Sequence, residues 1–169
     1  MPVLAPVSFT LQQAGQQSSR GTGIAARAAL TGTLRLNGNL ARTSARFDDF
    51  TCLDFARFDR VDYGGRVPIL VPETSASLWA SWEFTEARAA HPGLQSVGKS
   101  WYDYANTAKR GSFALVNAGL DWQAGETATQ SLRETNLLDK SYAAYIYPEK
   151  GQAVLAAPRR VELQLTSKF

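Results

Sequence analysis

Bond-making chemistry needs a nucleophile beside a base, or ligands at metal spacing. His91 is the single histidine and Cys52 the single cysteine. One histidine supports no nucleophile–base–orienter set, and one cysteine forms neither an internal disulfide nor a zinc pattern. His91 lies in the polar stretch Arg88 to Gly93 and reads as a turn residue. Asp48 with Asp49, and Asp59 with Asp62, are neighbouring carboxylates. Nothing beside them marks acid–base work, so they read as solvated loop charges. No catalytic residue, cofactor or metal site is expected.

The charges exclude a second class. Lys and Arg number 18 and Asp and Glu 15, for a net charge of +3. They are scattered, whereas nucleic-acid binding needs a clustered basic footprint. The 169 residues are enough for one ordinary domain. No run approaches the ~20 apolar residues of a spanning helix. Membrane strands stay open, because their signal is alternation over ~10 residues. Met1 to Pro6 shows no charged region followed by an apolar core, so no secretory signal is read there.

The elements are strands. From Pro158 to Phe169, Val161, Leu163, Leu165 and Phe169 share one parity, and Arg160, Glu162, Gln164, Thr166 and Lys168 the other. Successive side chains of a strand point to opposite faces, so this is a ribbon with one apolar and one charged face. Similar alternation predicts strands at Val7–Gln13, Arg20–Leu30, Leu34–Phe47, Ser75–Phe84, Leu94–Tyr102, Ser112–Trp122 and Thr127–Leu137. Gly15–Ser19 reads as a bend and Asp48–Pro72 as a loop, since prolines and paired glycines break regular pairing. No apolar period of 3.6 residues with caps competes. The fold class is all-β, an antiparallel up-and-down meander of about eight strands.

The connections alternate in length. Thr31-Gly32, Thr85–Pro92 and Ala124–Glu126 are short; Asp48–Pro72, Asp103–Gly111 and Asp139–Ala157 are longer. A meander would gather the short turns at one end, as transmembrane β-barrels do. Trp82, Phe84, Trp122 and Phe169 fall on the apolar faces at that end, where aromatic girdles sit. The competing reading is a soluble β-sandwich.

Several segments resemble the C-terminal part of a TonB-dependent outer-membrane receptor of the ferric-siderophore type. They are Val71-Pro72 before Thr74-Ser75-Ala76-Ser77-Leu78-Trp79; Trp101-Tyr102-Asp103 with Ala105-Asn106-Thr107; Thr135-Asn136-Leu137-Leu138-Asp139-Lys140-Ser141-Tyr142; and Ala157-Pro158-Arg159-Arg160 leading to Lys168-Phe169. Arg20-Gly21 is similar to the family's Arg-Gly entry into a barrel strand. The order matches from about residue 15 to the end. Three departures stand out. Thr22 to Ala26 lacks the family's carboxylates, Ser167 replaces an aromatic or aliphatic residue, and Glu134 shares parity with Leu132. A carboxylate facing lipid is unfavourable, and a bulge turning Glu134 inward is one resolution.

The resemblance implies that residues 1–169 are the C-terminal segment of a transmembrane barrel in the cell outer membrane, without a plug domain. Plugged transporters have ~22 strands, so the chain would be a fragment or a truncated reading frame. The implied partners are a ferric siderophore, outer-membrane lipid and lipopolysaccharide, and the TonB energy-coupling complex acting through the plug. For ligand contact the resemblance points to outer-loop aromatics and a cation: Trp101, Tyr102, Tyr104, Arg110, Tyr145 and Tyr147. Aromatic faces and a cation suit an anionic catechol- or hydroxamate-bearing complex. The same residues also fit loop packing or lipopolysaccharide phosphates. A self-contained small barrel of structural or adhesion type, or a soluble sandwich, are the alternatives.

Overall fold

The structure, a computed structural model, describes residues 15–54 and 59–168. The strand expected at Val7–Gln13, and the terminal Phe169, lie outside the described residues. The described elements are β1 (Gly15–Ala29), β2 (Leu34–Asp54), β3 (Asp59–Asp62), β4 (Thr74–Thr85), β5 (Arg88–Ala90), β6 (Gly93–Val97), β7 (Ser100–Trp101), β8 (Lys109–Arg110), β9 (Phe113–Ala124), β10 (Ala128–Thr135), β11 (Ala143–Tyr147), β12 (Gln152–Leu155) and β13 (Arg160–Ser167).

One antiparallel sheet carries the architecture, in the order β1-β2-β4-β5/β6-β9-β10-β13, with sequential strands always neighbours. The alternation in the sequence sets its faces. Leu34 lies across from Trp82, Trp82 from Ala90, Ala90 from Leu120, Leu120 from Leu132, and Leu132 from Leu163. Gly38, Leu78, Leu94 and Val116 form a second such row. Leu78, Trp82, Leu163 and Leu165 are 49%, 51%, 78% and 69% exposed. Among the described residues no second layer of protein meets them, which counts against the sandwich alternative. The polar face carries Arg35 paired with Glu83, Asn39 with Ser77, and Arg160 with Glu162. An apolar face this broad, left uncovered, belongs in hydrocarbon.

Several boundaries differ from the sequence reading. Gly15–Ser19 is strand rather than bend, because its backbone pairs with β2 as far as Phe50. Asp48–Pro72 is not a bare loop. At ~3.3 Å per residue, the 21-residue β2 is about 70 Å long and outruns a ~30 Å hydrocarbon core. Its far end, including Cys52, forms a hairpin with β3. Thr85–Pro92 shrinks to a two-residue turn at Glu86-Ala87. Pro92 lacks an N–H and interrupts one continuous strand, giving β5 and β6. The His91 N–H still donates to Gly119 and the Pro92 carbonyl still accepts from Ala80. The two remaining long loops each fold into a small hairpin, β7–β8 and β11–β12.

Short turns nonetheless gather at one end of the sheet and the long hairpins at the other. Trp82 and Phe84 pack with ring centroids 5.5 Å apart, and the Arg88 guanidinium lies 5.6 Å over Trp122, all at the short-turn end. Glu134 keeps its outward parity without a bulge, opposite Val161 and Ala118. Instead of turning inward it meets Arg159 at 3.8 Å, at the long-loop end of β10. β1 and β13 form the two edges and do not pair with each other, so the described residues make an open wall rather than a closed small barrel.

Candidate functional site

The hairpins at the long-loop end are built on two aromatic clusters. In the first, Phe47 and Phe50 stack with centroids 4.5 Å apart, and Tyr104 packs edge-on against both, at 6.0 and 5.0 Å. Tyr63 closes the group, 5.8 Å from Tyr104. Phe47 and Phe50 are three apart along β2, so they would fall on opposite faces of a regular strand. A register shift opposite Gln16/Gln17 realigns them. Tyr63 follows β3 into a turn whose Gly65 has φ +76°, a left-handed conformation suited to glycine. The turn is tied back by Gly65 N–H donating to Phe47 O at 2.8 Å.

The Asp103–Gly111 loop is stapled onto this hairpin. Asn106 accepts from the Val67 N–H at 2.8 Å and donates to the Val67 carbonyl at 2.9 Å. Asp103 holds the loop's own turn, accepting from the Thr107 hydroxyl at 2.7 Å and the Ala108 N–H at 2.8 Å. Burial pushes the Asp103 carboxyl up, but these hydrogen bonds from Thr107 and Ala108 outweigh it and hold it below the usual carboxylate range.

The second cluster joins β7 to the β11–β12 hairpin. Tyr102 is 5% exposed and donates its hydroxyl to the Ala143 carbonyl at 3.0 Å. Its ring meets Tyr145 edge-on at 6.5 Å, and Tyr145 meets Tyr147 at 4.6 Å. Burial pushes the Tyr102 phenol up, and the nearby Arg110 charge only partly offsets it. The Arg110 guanidinium lies 5.4 Å over Phe113, with its Nε enclosed and without a hydrogen-bond partner. Trp101 takes Lys109 Nζ over its ring at 5.1 Å.

The six residues named from sequence therefore divide. Tyr102, Tyr145, Tyr147 and Arg110 come together, Trp101 pairs with Lys109, and Tyr104 belongs to the other cluster. Sequence reasoning missed Phe47, Phe50 and Tyr63. The aromatic density between Phe47 and Tyr63 is the available signal, masked by the paired glycines and prolines that make Asp48–Pro72 read as a loop.

The most specific motif in the sequence does structural work. Asn136 is 5% exposed with φ +54°, and its amide bridges the Lys140 N–H at 2.9 Å and the Lys140 carbonyl at 3.0 Å. Its N–H donates to the Asn117 side chain at 3.0 Å, and Asp139 accepts from the Arg159 N–H at 2.8 Å. Together they turn the chain out of β10 and return it to β13. His91 is no bare turn residue either. It bridges Ser81 at 3.2 Å and Asp121 at 2.9 Å on the polar face, where Asp121 also takes Arg133 at 2.6 Å. A cross-strand set of polar side chains of this kind lines the lumen side of a barrel wall.

An apolar outer face, a polar inner face, short turns at one end and hairpins at the other define an up-and-down transmembrane β-barrel wall. The family model described as TonB dependent receptor-like, beta-barrel, matches residues 2–137, and the chain belongs to that family. It is an integral part of the bacterial outer membrane. Among curated relatives, it is 28% identical over 170 residues to the ferrichrome outer membrane transporter/phage receptor of Escherichia coli strain K12, covering 96% of this chain and 21% of the relative. It is 29% identical over 140 residues to the ferrioxamine receptor of Yersinia enterocolitica, covering 79% of this chain and 18% of the relative. The chain thus spans about a fifth of the length of the curated relatives it matches. These relatives are receptors and transporters, not enzymes. Its fold superposes on the siderophore receptor PiuA from Acinetobacter baumannii with a TM-score of 0.77 at 19% identity, covering 92% of this chain and 22% of that one. The ferric yersiniabactin uptake receptor FyuA from Yersinia pestis gives 0.75 at 21% identity, covering 92% and 24%.

Proposed function

We propose that the chain is the C-terminal segment of a siderophore receptor barrel, in which it supplies wall strands and outer loops for uptake of a ferric siderophore. The observation that supports this best is the pairing of a lipid-facing wall with packed, aromatic-rich hairpins confined to its long-loop end. The work is binding and passage, with no bond broken. TonB-dependent energy coupling acts through the plug of the whole receptor rather than through these strands. The outer face of the wall meets membrane lipid and lipopolysaccharide.

Within the six residues, roles follow from exposure. Tyr102 and Tyr145 shape the loop base. Tyr104 and Tyr147, 37% and 39% exposed, offer ring surface to a ligand. Arg110 offers a cation beside the tyrosines, its enclosed Nε out of a ligand's reach, and Trp101 with Lys109 offers a second cation–aromatic pair. Ferric-siderophore titration of the whole receptor carrying Tyr147→Ala or Arg110→Gln tests this. A loss of tenfold or more in affinity supports ligand contact. Unchanged affinity in both variants assigns the cluster to loop packing alone.

A further inference from the structure

The charges on the inward face of the wall are closed on one another. Arg35 on β2 pairs with Glu83 on β4 at 3.2 Å. Asp121 on β9 holds His91 at 2.9 Å and Arg133 of β10 at 2.6 Å, and it accepts from the Ser131 hydroxyl at 2.7 Å. Arg160 pairs with Glu162 on β13, and the register sets Glu162 across from Arg133. These pairs form one belt across the sheet. Arg35 lies across from Ser81, Ser81 meets the His91 ring at 3.2 Å, the His91 N–H donates to Gly119, and Gly119 lies across from Arg133. On the long-loop side of the belt, β2, β4 and β6 turn neutral side chains inward, among them Asn37, Asn39, Ser77 and Gln95, with Asn39 donating to Ser77 at 2.8 Å. Among the described residues, Arg27, across from Asn37, is the one inward charge in the spanning part of these strands without an ion pair.

We propose that the belt makes this wall a release face: the plug of the whole receptor parts from it without breaking an ion pair, and the ferric chelate passes along it. An ion pair between wall and plug would hold the plug in place, because separating two partly desolvated charges leaves both uncompensated. Pairs between neighbouring strands carry no such penalty. The backbone ladder keeps those strands together, so Arg35 and Glu83, or Asp121 and Arg133, stay joined when the plug moves. The neutral amides and hydroxyls beyond the belt exchange a protein hydrogen bond for one to water at small net cost. They also offer donors and acceptors to a polar chelate without trapping it by charge. The inference rests on the siderophore-receptor reading, because it assigns the inward face a plug and a passing ligand.

The test uses the whole receptor in energised cells, with a panel of radiolabelled ferric hydroxamate and ferric catecholate chelates as probes. Affinity at the outer face and the rate of uptake are measured separately for the chelate that binds. Glu83→Gln frees Arg35 and Asp121→Asn frees Arg133, leaving each cation to seek an acceptor on the plug. Each variant should take up the chelate at least fivefold more slowly while binding it with unchanged affinity. The exchanged pair Arg35→Glu/Glu83→Arg restores the lateral contact and should return uptake to within about twofold of the wild type. A role for either charge alone would not allow that rescue. Heat-modifiable mobility verifies folding; where Asp121→Asn does not fold, Glu83→Gln and its exchanged pair decide the matter. Unchanged uptake in folded Glu83→Gln, an exchanged pair as slow as the single variant, or an affinity that falls in step with uptake overturns the inference and leaves the receptor reading intact. A wild-type receptor that binds no chelate of the panel overturns both.

Discussion

The Tyr102 hydroxyl donates to the Ala143 carbonyl at 3.0 Å, across 41 residues of sequence. This bond ties the base of the β7–β8 hairpin to the start of the β11–β12 hairpin. It also explains why Tyr102, an attractive ligand residue by type, is 5% exposed. Tyr102→Phe keeps the ring and removes the bond. A buried hydrogen bond contributes about 0.5–1.5 kcal/mol net, so the β11–β12 hairpin should open roughly threefold to tenfold more often. Hydrogen exchange at Ile146 and Val154 should rise while exchange within β9 and β10 stays unchanged.

Glu134 and Arg159 are coupled by position. Glu134 faces outward beside Leu132 and Val161, 3.8 Å from Arg159. Near an interface an uncompensated charge costs up to about 1 kcal/mol. Arg159→Ala should therefore lower stability by that order, and Glu134→Leu should raise it. In the double variant the Arg159→Ala penalty should disappear. Denaturant titration of the whole receptor in detergent micelles measures all three.

Trp79 covers Gly93 on the inner face, where the two residues are directly paired. A Cβ at position 93 would overlap the Trp79 ring. Gly93→Ala should cost about 1–3 kcal/mol through overpacking. Gly93→Ala combined with Trp79→Ala should recover part of it, because the obstructing ring is gone. Thermal melting of the heat-modifiable form of the whole receptor reads the difference.

Asp103 links loop order to pH. Its carboxyl is held below the usual range by the Thr107 and Ala108 hydrogen bonds, which overcome burial. A carboxylate lowered on folding stabilises above its unfolded value of ~4 and loses that contribution as pH falls through the lowered folded value. The 103–108 turn should therefore loosen only below about pH 4. Protease sensitivity of the loop should rise there in the wild-type chain. In Asp103→Asn it should be raised already at neutral pH and change little on acidification.

Parity determined most of the wall. Leu34, Leu78, Leu120, Leu132 and Leu163 could be assigned to one face before any pairing was known, because a strand's side chains alternate with a fixed period of two. Connection lengths determined which end carries the turns and which the loops. Interruptions were harder to read. Pro92 removes a donor, which in sequence looks like the end of a strand, yet neighbouring strands kept the chain extended through it. Gly15–Ser19 reads as a polar bend and β2 beyond Phe47 as part of a loop broken by glycines and prolines, yet they pair as far as Phe50 because each supplies the other's backbone hydrogen bonds. The division of Trp101, Tyr102, Tyr104, Arg110, Tyr145 and Tyr147 between packing and surface was decided only in three dimensions. Side-chain type fixes what a residue can bind, but exposure depends on which distant loop lies across it. Ala143 and Phe50 owe their places over Tyr102 and Tyr104 to the sheet order, which no local stretch of sequence contains.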